Sequence, residues 1–223
     1  MGTARLQLTR DAIAVAALEL LKHEGPEALS FRRVAGQLGA SHTTIHRHCA
    51  NFDGLLDICA DYLAGELPAI DWDAPWAEAM ERCFTALYEI WTNHSALLAL
   101  RQGRPWWVPN MLTGFAEPTL RVSLANGMTP PEALQAIRQM YLFTLGCSVT
   151  HASYSARQAR PVIAALDPDA FPTLTTHMNA IVAGPPERDV FTQGLRNLIA
   201  AAAAGPARCD LDRIFSTVPP VQL

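Results

Sequence analysis

The sequence predicts an all-α fold, in which an N-terminal three-helix helix-turn-helix unit is joined by a fourth helix to a larger helical domain. Leucine and alanine recur at helical spacing almost throughout, period-two runs of β-branched residues are missing, and the breaks fall at glycine and proline. Two short helical patterns around Gly39 have the form of a helix-turn-helix, whose second helix enters the major groove of DNA.

Taken in order, Thr9 can cap a helix running through Leu21, with Ile13, Ala16, Ala17, Leu20 and Leu21 as its apolar stripe and Gly25-Pro26 as its stop. Ser30 caps a second helix carrying Val34 and Leu38, and Gly39 closes it. Ser41 caps a third. Asn51 caps a fourth, to about Leu67, after which Pro68 and the Asp71 to Pro75 turn divide the chain. Further helices are expected over about 75–93, 94–102, 109–126, 130–156, 171–183 and 186–204. Their boundaries are Gly103-Arg104-Pro105, Gly127 with Pro130-Pro131, the Asp167-Pro168 region and Gly184-Pro185-Pro186. The domains so read are 1–67 and 68–204, followed by a loosely ordered tail over 205–223.

Composition excludes several classes. With 223 residues, half of them hydrophobic, the chain can build a substantial core. Its longest apolar runs, AIAVAAL and LIAAAAA, are shorter than the roughly 18 to 20 residues of a membrane span, so no membrane partner is expected. Arg10 followed by AIAVAALEL mimics a signal peptide, but Asp11, Glu19 and Lys22 interrupt it and helical periodicity continues through them, as in a buried helix. The five cysteines (Cys49, Cys59, Cys83, Cys147 and Cys209) include no CxxC pair and read as reduced thiols of a cytoplasmic protein. A net charge of −4 argues against a surface that coats nucleic acid everywhere. Residues 1–52 are the exception, since Arg5, Arg10, Lys22, Arg32, Arg33 and Arg47 outnumber Asp11, Glu19, Glu24 and Glu27 there.

The stretch SHTTIHRHCANFDGLL (residues 41–56) packs His42, His46, His48 and Cys49 into eight positions, which raises the question of metal against DNA. At about 100° per residue, His46 and His48 lie roughly 200° apart and cannot share an ion. His42 and His46 supply two ligands at most, and a tetrahedral site needs more. The same geometry puts Ile45, Cys49 and Phe52 on one face and Thr43 and Arg47 on the other, flanked by Thr44 and His46. Small hydroxyls allow close approach to DNA, and an arginine can grip guanine O6 and N7. Contact with groove or phosphate is therefore the favoured reading, with plain surface or core histidines as its alternative; no metal or cofactor is implied. HExxH, GxSxG, GxGxxG and Walker patterns are missing, so the chain does not read as an enzyme.

The segment LTRDAIAVAALELLKHEGPEALSFRRVAGQLGASHTTIHRHCANFDGLLDICADYL resembles the DNA-binding region of the tetracycline-repressor (TetR) family of regulators. The matching marks are the alanine-rich first helix, Gly25, Leu29-Ser30, Val34-Ala35, Leu38-Gly39-Ala40-Ser41, and the Ile45 to His48 block before Asn51 and Leu55-Leu56. ALLALRQG (96–103) and FTLGCSVTH (143–151) are similar to effector-domain segments of the subgroup centred on the tetracycline repressor. The resemblance implies a homodimer, paired through helices of about 130–156 and 186–204, with two reading heads on a palindromic double-stranded operator about 34 Å apart. It turns Arg32, His42, Thr43, Thr44 and Arg47 toward base edges and Ser30, Arg33, His46 and His48 toward phosphates, while Leu55 to Leu67 couple effector to operator. The family usually has tyrosine at the place of His46 and lysine at that of Phe52. Losing the lysine's phosphate contact lowers the salt dependence of binding. An alternative follows, a TetR-like ligand-binding module that has lost operator binding.

For the effector, the candidates are Tyr88, Trp91, His94, Trp106, Trp107, Met111, Phe115, Cys147, Thr150 and His151, with ordinary core packing as the alternative for any one of them. In that subgroup the cavity holds a drug with its magnesium ion. Here Trp107 and Pro68 stand where it has histidines, and Thr150 near where it has a glutamate, so a small, largely apolar or aromatic effector fits better.

Overall fold

The computed structural model describes residues 8–101, 104, 106–151 and 156–204, without the side chains of 151 and 156–159. The expected tail over 205–223 lies outside the described residues. No strand occurs among them.

Each of the four expected caps accepts the amide three residues on. Thr9 caps α1 (Arg10–Glu24) through Ala12 at 3.1 Å, and Ser30 caps α2 (Phe31–Gln37) through Arg33 at 3.3 Å. Ser41 caps α3 (His42–Cys49) through Thr44 at 3.1 Å, and Asn51 caps α4 (Phe52–Gly65) through Gly54 at 2.8 Å. α1 runs past the expected Leu21 until Gly25, at φ +83°, turns the chain out of it into a 3₁₀ turn (Pro26–Ala28).

α5 (Trp76–Asn93) and α6 (Ser95–Leu100) follow the expected spans closely. The expected helix over 109–126 is instead α7 (Pro109–Met111), a π-helical turn (Leu112–Ala116) and α8 (Glu117–Ala125). Pro118 has no amide for the carbonyl four residues back, and the slip in register sits just before it. α9 (Pro130–His151) opens with a capping box, in which Glu132 Oε2 accepts the Thr129 amide at 2.8 Å and hydroxyl at 2.7 Å. It is described as far as His151, and the next described helix is α10 (Ala156–Ala164), which contains Pro161; residues 152–155 of the expected 130–156 span lie outside the described residues. The expected helix over 171–183 is two, α11 (Pro172–Thr176) and α12 (Met178–Val182). Thr173, Thr175 and Thr176 crowd the first of these with β-branched side chains of low helix propensity, and the Thr175 hydroxyl donates to the Phe171 carbonyl at 2.9 Å. α13 (Glu187–Ala203) closes the described chain.

One apolar core runs from Ile13 to Ile199. The signal-peptide-like run belongs to it, because Ile13, Ala14, Ala17 and Leu20 of α1 are buried where α1 packs on α4. α5, α9 and α13 pack together around Phe191, whose ring stacks on Tyr88 at 4.0 Å and lies parallel to Phe143 at 6.0 Å. Gly194 lets Phe143 in, since a Cβ there would meet Phe143 Cε1 and Cε2 at 2.9 and 3.0 Å. Polar side chains inside this bundle are satisfied locally. Thr119, Ser123, Thr144 and Ser148 each donate to the carbonyl four residues back, at 2.7 to 2.9 Å. No helix among the described residues is long and apolar enough to cross a membrane.

Candidate functional site

α3 is a two-faced helix. Ile45 is fully buried and Cys49 is 2% exposed, which fixes the helix on its neighbours; burying an isoleucine is worth about 1.5–3 kcal/mol. On the other side His42, Thr43, His46 and Arg47 are exposed, and Thr44 and His48 are half-buried. Phe52 corrects the sequence reading. It is 39% exposed and begins α4 instead of lining the underside of α3, because α3 ends at Cys49 and the chain turns at Ala50, at φ +60°. A helical period counted across that break has no meaning.

The flanking residues are already engaged. The rings of His42 and His46 each meet Phe31 of α2 edge-on at 5.7 Å, which orients both imidazoles. Thr44 Oγ1 lies 2.8 Å from Ser41 Oγ. Arg32 is exposed, whereas Arg33 bonds both oxygens of Glu24 at 2.5 and 2.7 Å. That pair is about half exposed on each side, so exchanging Glu24 for a phosphate costs little. Among the described residues no cluster of three or more histidine, cysteine or acidic side chains could hold a metal.

Two features absent from the sequence reading tie α3 to the rest of the protein. The first is Gly54, where a Cβ would fall inside the Cys49 carbonyl oxygen and 2.9 Å from its carbon. Only glycine lets α4 start so close to the end of α3. The second is an acidic stripe on α4 at i, i+4 and i+8. Asp53 pairs with Arg104 at 2.5 Å, and Asp57 pairs with Arg101 at 2.5 Å and with Arg104 at 3.2 Å. Asp61 accepts the Asn110 amide at 2.8 Å, and its backbone carbonyl accepts Asn110 Nδ2 at 3.0 Å. The Arg101 side chain is only 1% exposed, and its guanidinium lies over the Trp106 ring at 5.2 Å. The spacing of the three aspartates is the signal the sequence offers, whereas their partners, more than 40 residues on, leave no mark in it.

Trp106 belongs to an aromatic cluster. Its ring is 5.4 Å from Trp91, which meets Tyr141 edge-on at 5.1 Å; Tyr141 lies 6.2 Å from Phe115, and Phe115 lies 5.2 Å from Phe84. Burial pushes the Tyr141 hydroxyl up to about 12, against a hydrogen bond with the Trp106 backbone. Three of the ten expected effector residues, Trp91, Trp106 and Phe115, belong to this cluster, and Met111 is buried in the same continuous core. The others are elsewhere. Tyr88 faces Phe191, and Cys147 is half-buried. His94 is half-buried between α5 and α6, where burial and then Lys22 lower its pKa. Trp107 is 71% exposed, and Thr150 is exposed and donates to the Gly146 carbonyl at 2.9 Å. The side chain of His151 lies outside the described residues. Burial pushes the Cys59 and Cys83 thiols up to about 12, so both are unreactive core groups.

Residues 68–204 match the family model of the tetracyclin repressor-like C-terminal domain. The tetracycline repressor protein class D of Escherichia coli is 30% identical over 203 residues, spanning 86% of this chain and 88% of that protein. The chain belongs to the TetR family of transcriptional regulators. Proteins of this family regulate transcription and are not enzymes. The HTH-type transcriptional repressor DrrR1 of Streptomyces coeruleorubidus is 32% identical over 143 residues, 63% of this TetR-family chain and 53% of DrrR1. The chain thus spans about half the length of that relative, and 45% of an HTH-type transcriptional regulator of Saccharopolyspora erythraea. Apo ActR from Streptomyces coelicolor superposes with a TM-score of 0.77 at 28% identity, covering 91% of this chain and 98% of ActR. ActR in complex with (S)-DNPA and with actinorhodin superposes at 0.76 and 0.75.

Proposed function

We propose that this chain is a homodimeric TetR-family repressor that holds a palindromic operator through α2 and α3 and leaves it when a small, largely apolar or aromatic effector binds. The observation that carries the reading is the split of α3, with Ile45 and Cys49 buried and Thr43 and Arg47 exposed on the opposite face. In this reading His42, Thr43, Thr44, Arg47 and Arg32 meet base edges, while Ser30, Arg33, His46 and His48 hold phosphates.

Dimerisation is supported by α9, whose exposed Leu134, Leu142 and Val149 form an apolar stripe beside exposed Gly146. On α13 the exposed Val190, Ala200 and Ala201 extend the candidate face; Ile199, on the same helix, is 5% exposed and packs into its own core. An effector is supported by ActR, solved in complex with (S)-DNPA and with actinorhodin. The aromatic cluster around Trp91 and Trp106 is the effector site in this reading. Its link to DNA is short, because Arg101 touches both Trp106 and Asp57 of α4. An effector that moves Arg101 changes the seating of α4 and with it the separation of the two reading heads, by no more than its differential affinity for the two arrangements.

Exposed Phe52, where the family usually has lysine, is the observation that favours the second reading, a ligand-binding module without operator binding. Titrating fluorescein-labelled duplex from the DNA flanking the coding region separates the two. Salt-dependent binding that Arg47→Ala abolishes supports the repressor. A wild-type protein that binds no flanking duplex above its non-specific level supports the module, and an Arg47→Ala protein that binds as well as wild type removes the proposed role of α3.

A further inference from the structure

Phe31 ties the two exposed imidazoles of α3 to the body of the protein. It is the first residue of α2, directly after the Ser30 cap, and it is half-buried and packed against the apolar core. Its ring stands at 74° to those of both His42 and His46, with each centroid 5.7 Å away, while the two imidazoles lie 6.2 Å apart and tilted by 32°. The three rings form a nearly equilateral triangle with one corner anchored in the core. Packing alone does not call for that ring. The core beneath needs an apolar side chain at this position, and leucine would supply it; what the phenyl ring adds is a flat partner that holds two imidazoles edge-on.

His42 and His46 are both exposed, and no hydrogen bond among the described residues orients either ring, so the contacts with Phe31 do. That restraint matters for reading DNA. Each base pair places its donors, acceptors and methyl group at its own points in the major groove. A ring free to turn can follow partner atoms from one point to another and discriminates little between base pairs. Held in one orientation, it presents one nitrogen at one point, and only a base pair with a matching group there is met. The restraint also removes the cost of ordering the side chain on binding, about two- to tenfold in affinity for each side chain held. We infer that Phe31 is a positioning residue for operator specificity: by holding His42 it fixes where that imidazole meets the groove, and so sets the base pair preferred at one position of each half-site. His46, held by the same ring, keeps a phosphate contact in register with that base contact. This rests on α3 reading the operator with His42 at a base edge.

A specificity scan tests it. Duplexes carrying the flanking-DNA site that the wild-type protein binds, each with one base pair changed symmetrically in both half-sites, are titrated by fluorescence anisotropy with wild type, Phe31→Leu, Phe31→Tyr and His42→Ala. His42→Ala marks the position that His42 reads. There the wild type should discriminate by about fivefold or more and Phe31→Leu by about twofold or less, while positions sensitive to Arg47→Ala keep their preference. Affinity of Phe31→Leu for the unchanged site should fall at least about tenfold, since two imidazoles in each protomer lose their restraint. Phe31→Tyr keeps the ring and should keep the preference. A Phe31→Leu protein with full discrimination at the His42 position overturns the inference, and so does one whose affinity falls evenly at every position, which is the signature of a displaced α3. If His42→Ala alters no position, His42 reads no base and the inference falls while α3 stays the reading element. A wild-type protein without preference at any position removes the α3 reading itself. Histidine-labelled wild type decides the geometry even where Phe31→Leu folds poorly. In the free protein the ring protons of His42 and His46 should be shifted by the Phe31 ring current, and resonances at the positions of a freely turning imidazole would overturn the restraint.

Discussion

Adding one methyl group at two glycines, Gly54→Ala and Gly36→Ala, should shift stability in opposite directions. Gly36 lies in α2, exposed, and a Cβ there meets nothing within 4 Å. Alanine therefore brings only its helix propensity and a less flexible unfolded chain, about 0.5–1 kcal/mol of stabilisation. Gly54 has the same propensity to gain, but its Cβ would overlap the Cys49 carbonyl oxygen and come to 2.9 Å from the carbonyl carbon. Both obstacles are backbone, so no rotamer change relieves them and the start of α4 must move away from the end of α3. Overpacking of this kind costs roughly 1–3 kcal/mol, which outweighs the propensity gain and leaves a net loss of about 0.5–2 kcal/mol. For a domain of this size each kcal/mol is worth about 2–4 °C in Tm. Because α3 is displaced, operator affinity should fall further than stability alone explains, while effector binding in the aromatic cluster is unchanged. Thermal melts and anisotropy titrations of both variants check this. A Gly54→Ala protein that melts with Gly36→Ala and binds operator normally would refute the close seating of α3 on α4.

Further outcomes follow from the same contacts. Asp57→Asn keeps the shape of the α4 latch and removes its charge opposite Arg101 and Arg104. With Asp57 itself 39% exposed, the expected loss is about 1–2 kcal/mol in a melt, and the effector-induced drop in operator affinity should shrink at least fivefold in paired titrations. Phe52→Lys restores a cation at the start of α4 in each protomer of the proposed dimer and should steepen the dependence of log affinity on log salt by about two, measured between 50 and 200 mM salt. His94 has its pKa lowered from the ordinary 6.5 by burial and by Lys22. The unfolded chain therefore takes up this proton at a higher pH than the folded one, and stability falls as pH drops through 6.5. Melting temperatures of His94→Gln should show a shallower loss between pH 7 and 5 than those of the wild type.

The sequence carries the local part of this fold well. Thr9, Ser30, Ser41 and Asn51 are readable as caps because a capping oxygen and the amide it accepts are three residues apart, within one turn of chain. The buried Ile45 and Cys49 are readable for the same reason, through helical period alone. Phe52 is misplaced when that period is carried across the α3–α4 break. The π-helical turn and the break at His177 depend on competition between backbone registers that differ little in energy, and apolar spacing does not report it. In the aromatic cluster the aromatic residues of α5 to α7 are visible as a stripe, but Tyr141 arrives from α9, 50 residues beyond Trp91 in sequence, and only the tertiary fold brings it there. Trp107 stands next to Trp106 in sequence and faces solvent, since neighbours in an extended segment point to opposite sides.

The most direct measurement of the central claim is a footprint of the full chain on the DNA flanking its coding region, repeated with Arg47→Ala. Two protected half-sites of inverted sequence, centred about one helical turn or a small multiple of it apart and lost with Arg47→Ala, are the predicted result. Protection without inverted symmetry, or protection that persists undiminished when Arg47 is removed, would contradict the assignment of α3 as the element that reads the operator.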